Sequence, residues 1–209
     1  MRRSFLRCFS HQQVVRRMKS ATCRRALICA WVCLAAGCAE PPPSAHELAS
    51  QFLTHRREFV DLRDMIEQDL PPHHEFSVGS DVIGEYWATF DLMRLQKRWR
   101  QSIPAAGSPD PVDRSLDEVL ARTGLTVDKY NKYLTLLHMV GASRVEIVSS
   151  GEPHRETVAF LVYRAGFAGN GCGAFITWES DGAPRHASPG LEPDITSLES
   201  QWFALSRCS

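Results

Sequence analysis

At 209 residues, 44% hydrophobic and 23% charged, with five Trp and ten Phe, the chain has a globular composition and enough apolar mass for one core. That excludes a disordered, collagen-like or multi-pass membrane chain. The formal charge of zero hides an asymmetry: eight Lys and Arg and no acid occupy residues 1–25, leaving 16 Lys and Arg against 24 Asp and Glu beyond, a net of −8. A domain so acidic repels phosphates on average, which argues against nucleic-acid binding and against a polybasic membrane-surface domain.

Residues 26–37 read ALICAWVCLAAG, twelve without a charge, directly behind Arg24 and Arg25. A run of that length fits the apolar region of a signal peptide, whereas a spanning helix needs about 20 residues. It closes on Leu34-Ala35-Ala36-Gly37-Cys38, which resembles the lipobox of bacterial lipoproteins. Leu34 stands one place ahead of the usual leucine position, which Ala35 takes. The resemblance implies cleavage between Gly37 and Cys38, a thioether lipid on Cys38, and acylation of the new N-terminus by a palmitate-type chain. Met18-Lys19 opens a leader of 20 residues, so Met18 is the expected start. The upstream RRSFLR (2–7) resembles a twin-arginine signal, but it lies too far ahead of the apolar run, and general secretory export is expected. Ala39-Glu40 and Pro41-Pro42-Pro43 follow as a short stiff spacer. Ala39, where an Asp would signal inner-membrane retention, directs the expectation to the outer membrane, with the protein facing the periplasm. Two or more acyl chains make such an anchor stable. The expected organisation is an extension and signal peptide over 1–37, the lipidated cysteine and spacer over 38–43, and a single domain over 44–209.

Ser44-Ala45-His46-Glu47 is a capping box at the head of a helix. Leu48, Phe52, His55, Phe59, Leu62 and Ile66 then recur at helical spacing until Pro71-Pro72. This predicts one long amphipathic helix of about seven turns, with Arg57/Asp61 and Arg63/Glu67 one turn apart on its outer face. Residues 73–100 carry mixed signals. Phe76 and Val78 alternate, and 82–90 fits a strand or a helix, with Ile83, Tyr86, Trp87, Thr89 and Phe90 favouring the strand. Residues 103–114, rich in Pro, Gly and Asp, read as a loop. Ser115 and Glu118 form a second capping box for a short helix ending at Gly124, and Thr126 caps a helix over 127–140 that stops at Gly141. The period then changes to two. Residues 144–149, 157–164, 172–179 and 201–207 are the predicted strands, joined by turns rich in Gly, Pro and Asp. Helices first and strands afterwards give an α+β class: the long N-terminal amphipathic helix and one or two further helices packed on one face of a mainly antiparallel sheet.

Of seven cysteines, cleavage leaves Cys38, Cys172 and Cys208. With Cys38 carrying lipid, an even pair remains in an oxidising compartment. Antiparallel pairing that sets Cys172 opposite Cys208 also sets Trp178 opposite Trp202, a favourable cross-strand aromatic pair. A Cys172–Cys208 disulfide is therefore expected.

The helical FLTHRREFVDLRDMI behind the Pro spacer, the segment LTVDKYNKYLTLLHMVG, the strand AFLVYRAGFAGNGC and Trp202 together resemble small proteobacterial lipoproteins with no assigned activity. The resemblance covers most of 44–209. It implies an α+β periplasmic domain on a lipid anchor and brings no catalytic residues with it.

Chemistry-bearing residues are present but do not assemble into a motif. Asn170-Gly171-Cys172-Gly173 faintly resembles the cysteine segment of periplasmic Cys–His peptidases. Here it leads into a strand pattern instead of a helix, with His186 the sole downstream histidine and nothing placed to orient it. His73-His74-Glu75 are metal-ligand types in a row, but neighbours in extended chain point to opposite faces, and His154 and His186 stand at no regular spacing from them. They read as solvated turn histidines, so no metal is expected. His55 and His138 lie on partly apolar helical faces and read as core or rim residues. Gly166, Gly169, Gly171 and Gly173 fit a hairpin and not a phosphate loop. Asp61 and Asp64 share a helix face as solvated charges. The expectation is thus a lipid-anchored envelope protein without enzymatic activity or cofactor. It binds the membrane through its anchor and, through its surface, another envelope or secreted protein, as an immunity or inhibitor lipoprotein does. An acidic domain suits a basic partner. The alternative is a small-molecule or lipid carrier holding its ligand between the long helix and the sheet.

Overall fold

Ser44 and Glu47 close the first capping box: the Ser44 Oγ accepts from the Glu47 N–H at 3.3 Å, and the Glu47 carboxylate accepts from the Ser44 N–H at 2.7 Å. These bonds hold the Glu47 carboxyl below its ordinary value. They start α1 (Ala45–Thr54) in a computed structural model that describes residues 41–69, 75–101, 112–149, 156–167, 170–184 and 194–208. The chain divides into two units, Met1–Glu40 and Pro41–Ser209, and every described residue belongs to the second.

The stretch read as one seven-turn helix is two. α1 stops at His55 (φ −118°, ψ 26°), and α2 (Arg56–Asp69) begins immediately. Thr54 Oγ1 donates to the Ser50 carbonyl at 2.7 Å, a side-chain bond back along the helix that bends it. Arg63 departs from its expected outer face: its guanidinium lies 5.0 Å from the Trp178 ring centre while Nε stays 3.9 Å from Glu67. Burial there pushes the Glu67 carboxyl above its ordinary value.

The strands are β1 (Phe76–Gly79), β2 (Val82–Ile83), β3 (Tyr86–Asp91), β4 (Gln96–Gln101) and β5 (Asp113–Arg114). Two helices follow, α3 (Leu116–Thr123) and α4 (Val127–Met139), then β6 (Arg144–Ser149), β7 (Glu156–Phe167), β8 (Asn170–Glu179), β9 (Asp194–Glu199) and β10 (Trp202–Cys208). Gly124 ends α3 at φ 75°, a left-handed cap that costs glycine nothing. All ten strands form one antiparallel sheet in the order β5-β4-β3-β2-β1-β6-β7-β8-β10-β9. Two meanders leave the β1–β6 seam in opposite directions, and β10 inserts between β8 and β9. The fold is α+β, with the sheet predominant. The span 82–90 is broken by the Gly84-Glu85 turn into β2 and β3, and β4, β5 and β9 are additions to the strands read from the sequence. Ser115 and Glu118 close the second capping box, and Thr126 caps α4.

The helices cover one face. Leu48, Phe52, Phe59, Leu62 and Ile66 from α1 and α2, with Tyr133 and Leu137 from α4, share a core with Val78, Val145, Ile147, Val158, Phe160, Ile176 and Trp202. At its centre, Phe59 meets the Phe160 ring edge-on at 5.1 Å, and Phe52 tilts against Trp202 at 4.9 Å. On the opposite face Ala159, Leu161, Thr177, Glu179, Phe203 and Leu205 are also buried. Strands covered on both faces read as continuous apolar runs, and VAFLV (158–162) and WFAL (202–205) are such runs. Replacing Phe59, fully buried and touching Phe52, Phe160 and Trp202, with alanine should cost about 3–5 kcal/mol. Urea unfolding followed by tryptophan fluorescence measures it.

Candidate functional site

Gly37 and Cys38 lie outside the described residues, as do His73, His74, His154 and His186. The rest are dispersed. His55 ends α1, His138 is exposed in the last turn of α4, Glu75 is exposed, and Asp64 pairs with neighbouring Arg63. Among the described residues no group of three or more His, Cys, Asp or Glu is placed to hold a metal ion. None of the described helices is long and apolar enough to cross a membrane.

Cys172 and Cys208 are disulfide-bonded, opposite each other across β8 and β10 in the register that also faces Trp178 with Trp202. A bridged sulfur has no thiolate to offer as a nucleophile. Beside it, the β7–β8 ladder requires Gly171, where an added Cβ would sit 2.1 Å from the Ala165 carbonyl oxygen.

Two polar clusters are buried. At the end of α2, the Asp69 carboxylate receives the Tyr133 hydroxyl at 2.8 Å and pairs with the Lys129 ammonium. A carboxylate at a helix C-terminus is disfavoured by the helix dipole, and these two donors from α4 offset that and bolt the helices together. Burial, reinforced by Asp69, pushes the Tyr133 phenol far upward. Neighbouring Tyr130, whose hydroxyl donates to the Gly79 carbonyl at 3.1 Å, is pushed up to about 12, mainly by burial. A tyrosine acting as a base needs the opposite shift, so this cluster is built for cohesion. On the other face, Glu179 accepts the Thr157 hydroxyl at 2.7 Å.

The remaining feature is the β3–β4 hairpin. Its strands pair from Tyr86 opposite Gln101 to Asp91 opposite Gln96 and join through Leu92-Met93-Arg94-Leu95. Asp91 Oδ1 accepts the N–H of Met93 at 3.0 Å and of Arg94 at 3.2 Å, an Asx-type turn. Leu95 closes it at φ 50°, in the left-handed region that costs a leucine roughly 1–2 kcal/mol. The side chains of this fixed turn point outward: Phe90 is 59% exposed, Leu92 77%, Met93 96% and Leu95 75%. Basic residues stand at and just behind the tip. Arg94 lies 3.8 Å from Asp91, Lys97 contacts the Ser80 carbonyl over the Trp99 ring, and Arg100 pairs with Asp113 at 2.9 Å. The sequence reading left this span ambiguous because its turn holds no Gly, Pro or Asn. Asp91, followed by four residues before the Gln96 strand, was the available signal. No protein-family model, curated protein or solved structure matches the chain.

Two outcomes follow from the bridged and buried groups. The disulfide closes a separation of 36 residues, so on chain-entropy grounds reduction should remove about 4 kcal/mol, read as a lower denaturation midpoint with reductant. For the tyrosines, folding favours the protonated phenol. Their contribution is whole below the unfolded value near pH ~10 and fades as pH rises through the folded values. Thermal midpoints should therefore fall above that pH, and a Tyr130→Phe, Tyr133→Phe double variant should lose less on alkalinisation.

Proposed function

We propose that this chain is a lipid-anchored, non-enzymatic protein of the bacterial cell envelope, held to the outer membrane through Cys38 and binding an envelope or secreted protein. One boundary carries the reading. The folded unit begins at Pro41, three residues past the cysteine that closes the apolar leader. Cleavage before Cys38 would leave that unit whole, with Ala39, Glu40 and the Pro41–Pro43 spacer between the lipid and the Ser44 cap of α1. The resemblance of the leader and the helical segments to small proteobacterial lipoproteins supports the same assignment.

The partner follows from charge. Over α1 and α2 six acids (Glu47, Glu58, Asp61, Asp64, Glu67, Asp69) face three arginines, and a net charge of −8 past the leader favours a basic protein, such as an effector that an immunity lipoprotein neutralises. The carrier alternative has less support. Between helices and sheet, the Phe52, Phe59, Phe160 and Trp202 rings pack with centres 4.9–6.3 Å apart.

Intact mass spectrometry of the protein purified from its host membranes should find an N-terminus at Cys38 carrying acyl mass, and Cys38→Ser should abolish palmitate labelling and leave the leader uncleaved. An unmodified Cys38 in the native protein would overturn the anchor. Cross-linking in intact envelopes should then yield one specific basic partner, and its absence would move the reading to the carrier.

A further inference from the structure

We infer that the β3–β4 hairpin is a second membrane contact, inserting its apolar tip into an anionic bilayer. The envelope assignment supplies the bilayer, but the contact itself stands on the geometry of the hairpin.

Met93, at 96% exposure, meets almost nothing of its own chain, and Leu92 and Leu95 flank it. Three large apolar side chains thus crown a protruding turn. The turn is also held. Asp91 spends its carboxylate on the Met93 and Arg94 amides and on the Arg94 guanidinium, so the one acid between residues 86 and 101 is already engaged within the turn. Four of the 16 basic residues beyond the leader fall within Arg94, Lys97, Arg98 and Arg100, in a domain otherwise dominated by acids.

The spacing of these two features selects the partner. Strands advance about 3.3 Å per residue, so Lys97 and Arg98 stand roughly 7–10 Å behind Leu95. That is the depth over which an interfacial segment passes from the acyl boundary to the headgroups. Apolar groups at the point and cations behind them match a membrane in which hydrocarbon lies beneath phosphates. An acidic protein surface would meet the cations but leave Leu92 and Met93 without a counterpart. The placement fits a tethered domain as well. α1, which follows the Pro spacer, packs on β9 and β10, while β3 and β4 lie toward the other end of the strand order. A contact there would lay the domain along the bilayer.

The test reconstitutes the full-length chain into vesicles of phosphatidylcholine alone and of phosphatidylcholine with about one-third phosphatidylglycerol, and follows backbone amide exchange by mass spectrometry. The apolar leader or an acyl chain on Cys38 brings the chain to either vesicle, so the hairpin is read separately from the anchor. Amides over residues 92–96 should exchange about tenfold more slowly on anionic vesicles, and high salt should release part of that protection. Leu92→Ser with Met93→Ser and Leu95→Ser should remove it while flotation continues, and Arg94→Gln with Lys97→Gln and Arg98→Gln should do so through charge alone. Identical exchange with and without vesicles would overturn the inference, as would protection appearing only with a bound protein, which would make the tip a protein-docking site. An unacylated Cys38 alongside a protected tip would sink the anchor and leave the hairpin standing.

Discussion

Trp202 lies where the two ends of the folded unit meet. Phe52 and Phe59 reach it from the first two helices, Phe160 comes from the middle of the sheet, and Trp202 itself opens the last strand. The contacts of Phe52 and Phe59 with Trp202 form only when chain more than 140 residues apart has come together. The cluster therefore rewards only the complete fold, and loop-closure entropy is met before it forms. This constraint explains the position of β10. Inserted between β8 and β9, it carries Trp202 under α1 and α2, where an edge strand would have left the indole at the rim.

The disulfide secures the same strand at its other end. Trp202 opposite Trp178 and Cys208 opposite Cys172 bracket the β8–β10 ladder, one by packing and one by covalent closure. The buried rings hold the native state together, while the bridge acts chiefly by shrinking the unfolded ensemble. Their effects are largely separate, because the core side chains lie in the same places whether the unfolded chain is looped or not.

Much of this was legible where a local rule and the tertiary context agree. Ser44/Glu47, Ser115/Glu118 and Gly124 marked helix ends because capping is decided within four residues. The Cys172/Cys208 register followed from alternation, since one bridge fixes every pair along a ladder. The break at His55 was hidden because the apolar spacing continues through it while the backbone of His55 leaves helical geometry. β9 was missed because Asp194–Glu199 mixes exposed and half-buried positions at the rim of the sheet. The second buried face was written in VAFLV and WFAL, but runs that short do not separate a doubly covered strand from any other apolar segment. The hairpin escaped for a related reason: its exposed apolar tip violates the pattern by which strands and turns are recognised. Violations of that sort concentrate where a surface has work other than folding.

Net charge and local charge point in opposite directions, and distance decides which prevails. At −8 beyond the leader, the domain as a whole is repelled by an anionic surface. At physiological ionic strength, however, the screening length is about 8 Å, so the acids of α1 and α2 matter to a bilayer only when they come within a turn of helix of it. The hairpin carries Arg94 at its exposed tip and Lys97 and Arg98 roughly 7–10 Å behind it, about one screening length. A bilayer approached tip-first would meet Arg94, Lys97 and Arg98 before the acids of α1 and α2, with Asp91 the one acid at the tip and already bound within the turn. The result is a directional surface on a chain of unfavourable overall charge. In the proposed arrangement the hairpin would meet the bilayer while the acids of α1 and α2 would be offered to a basic protein partner.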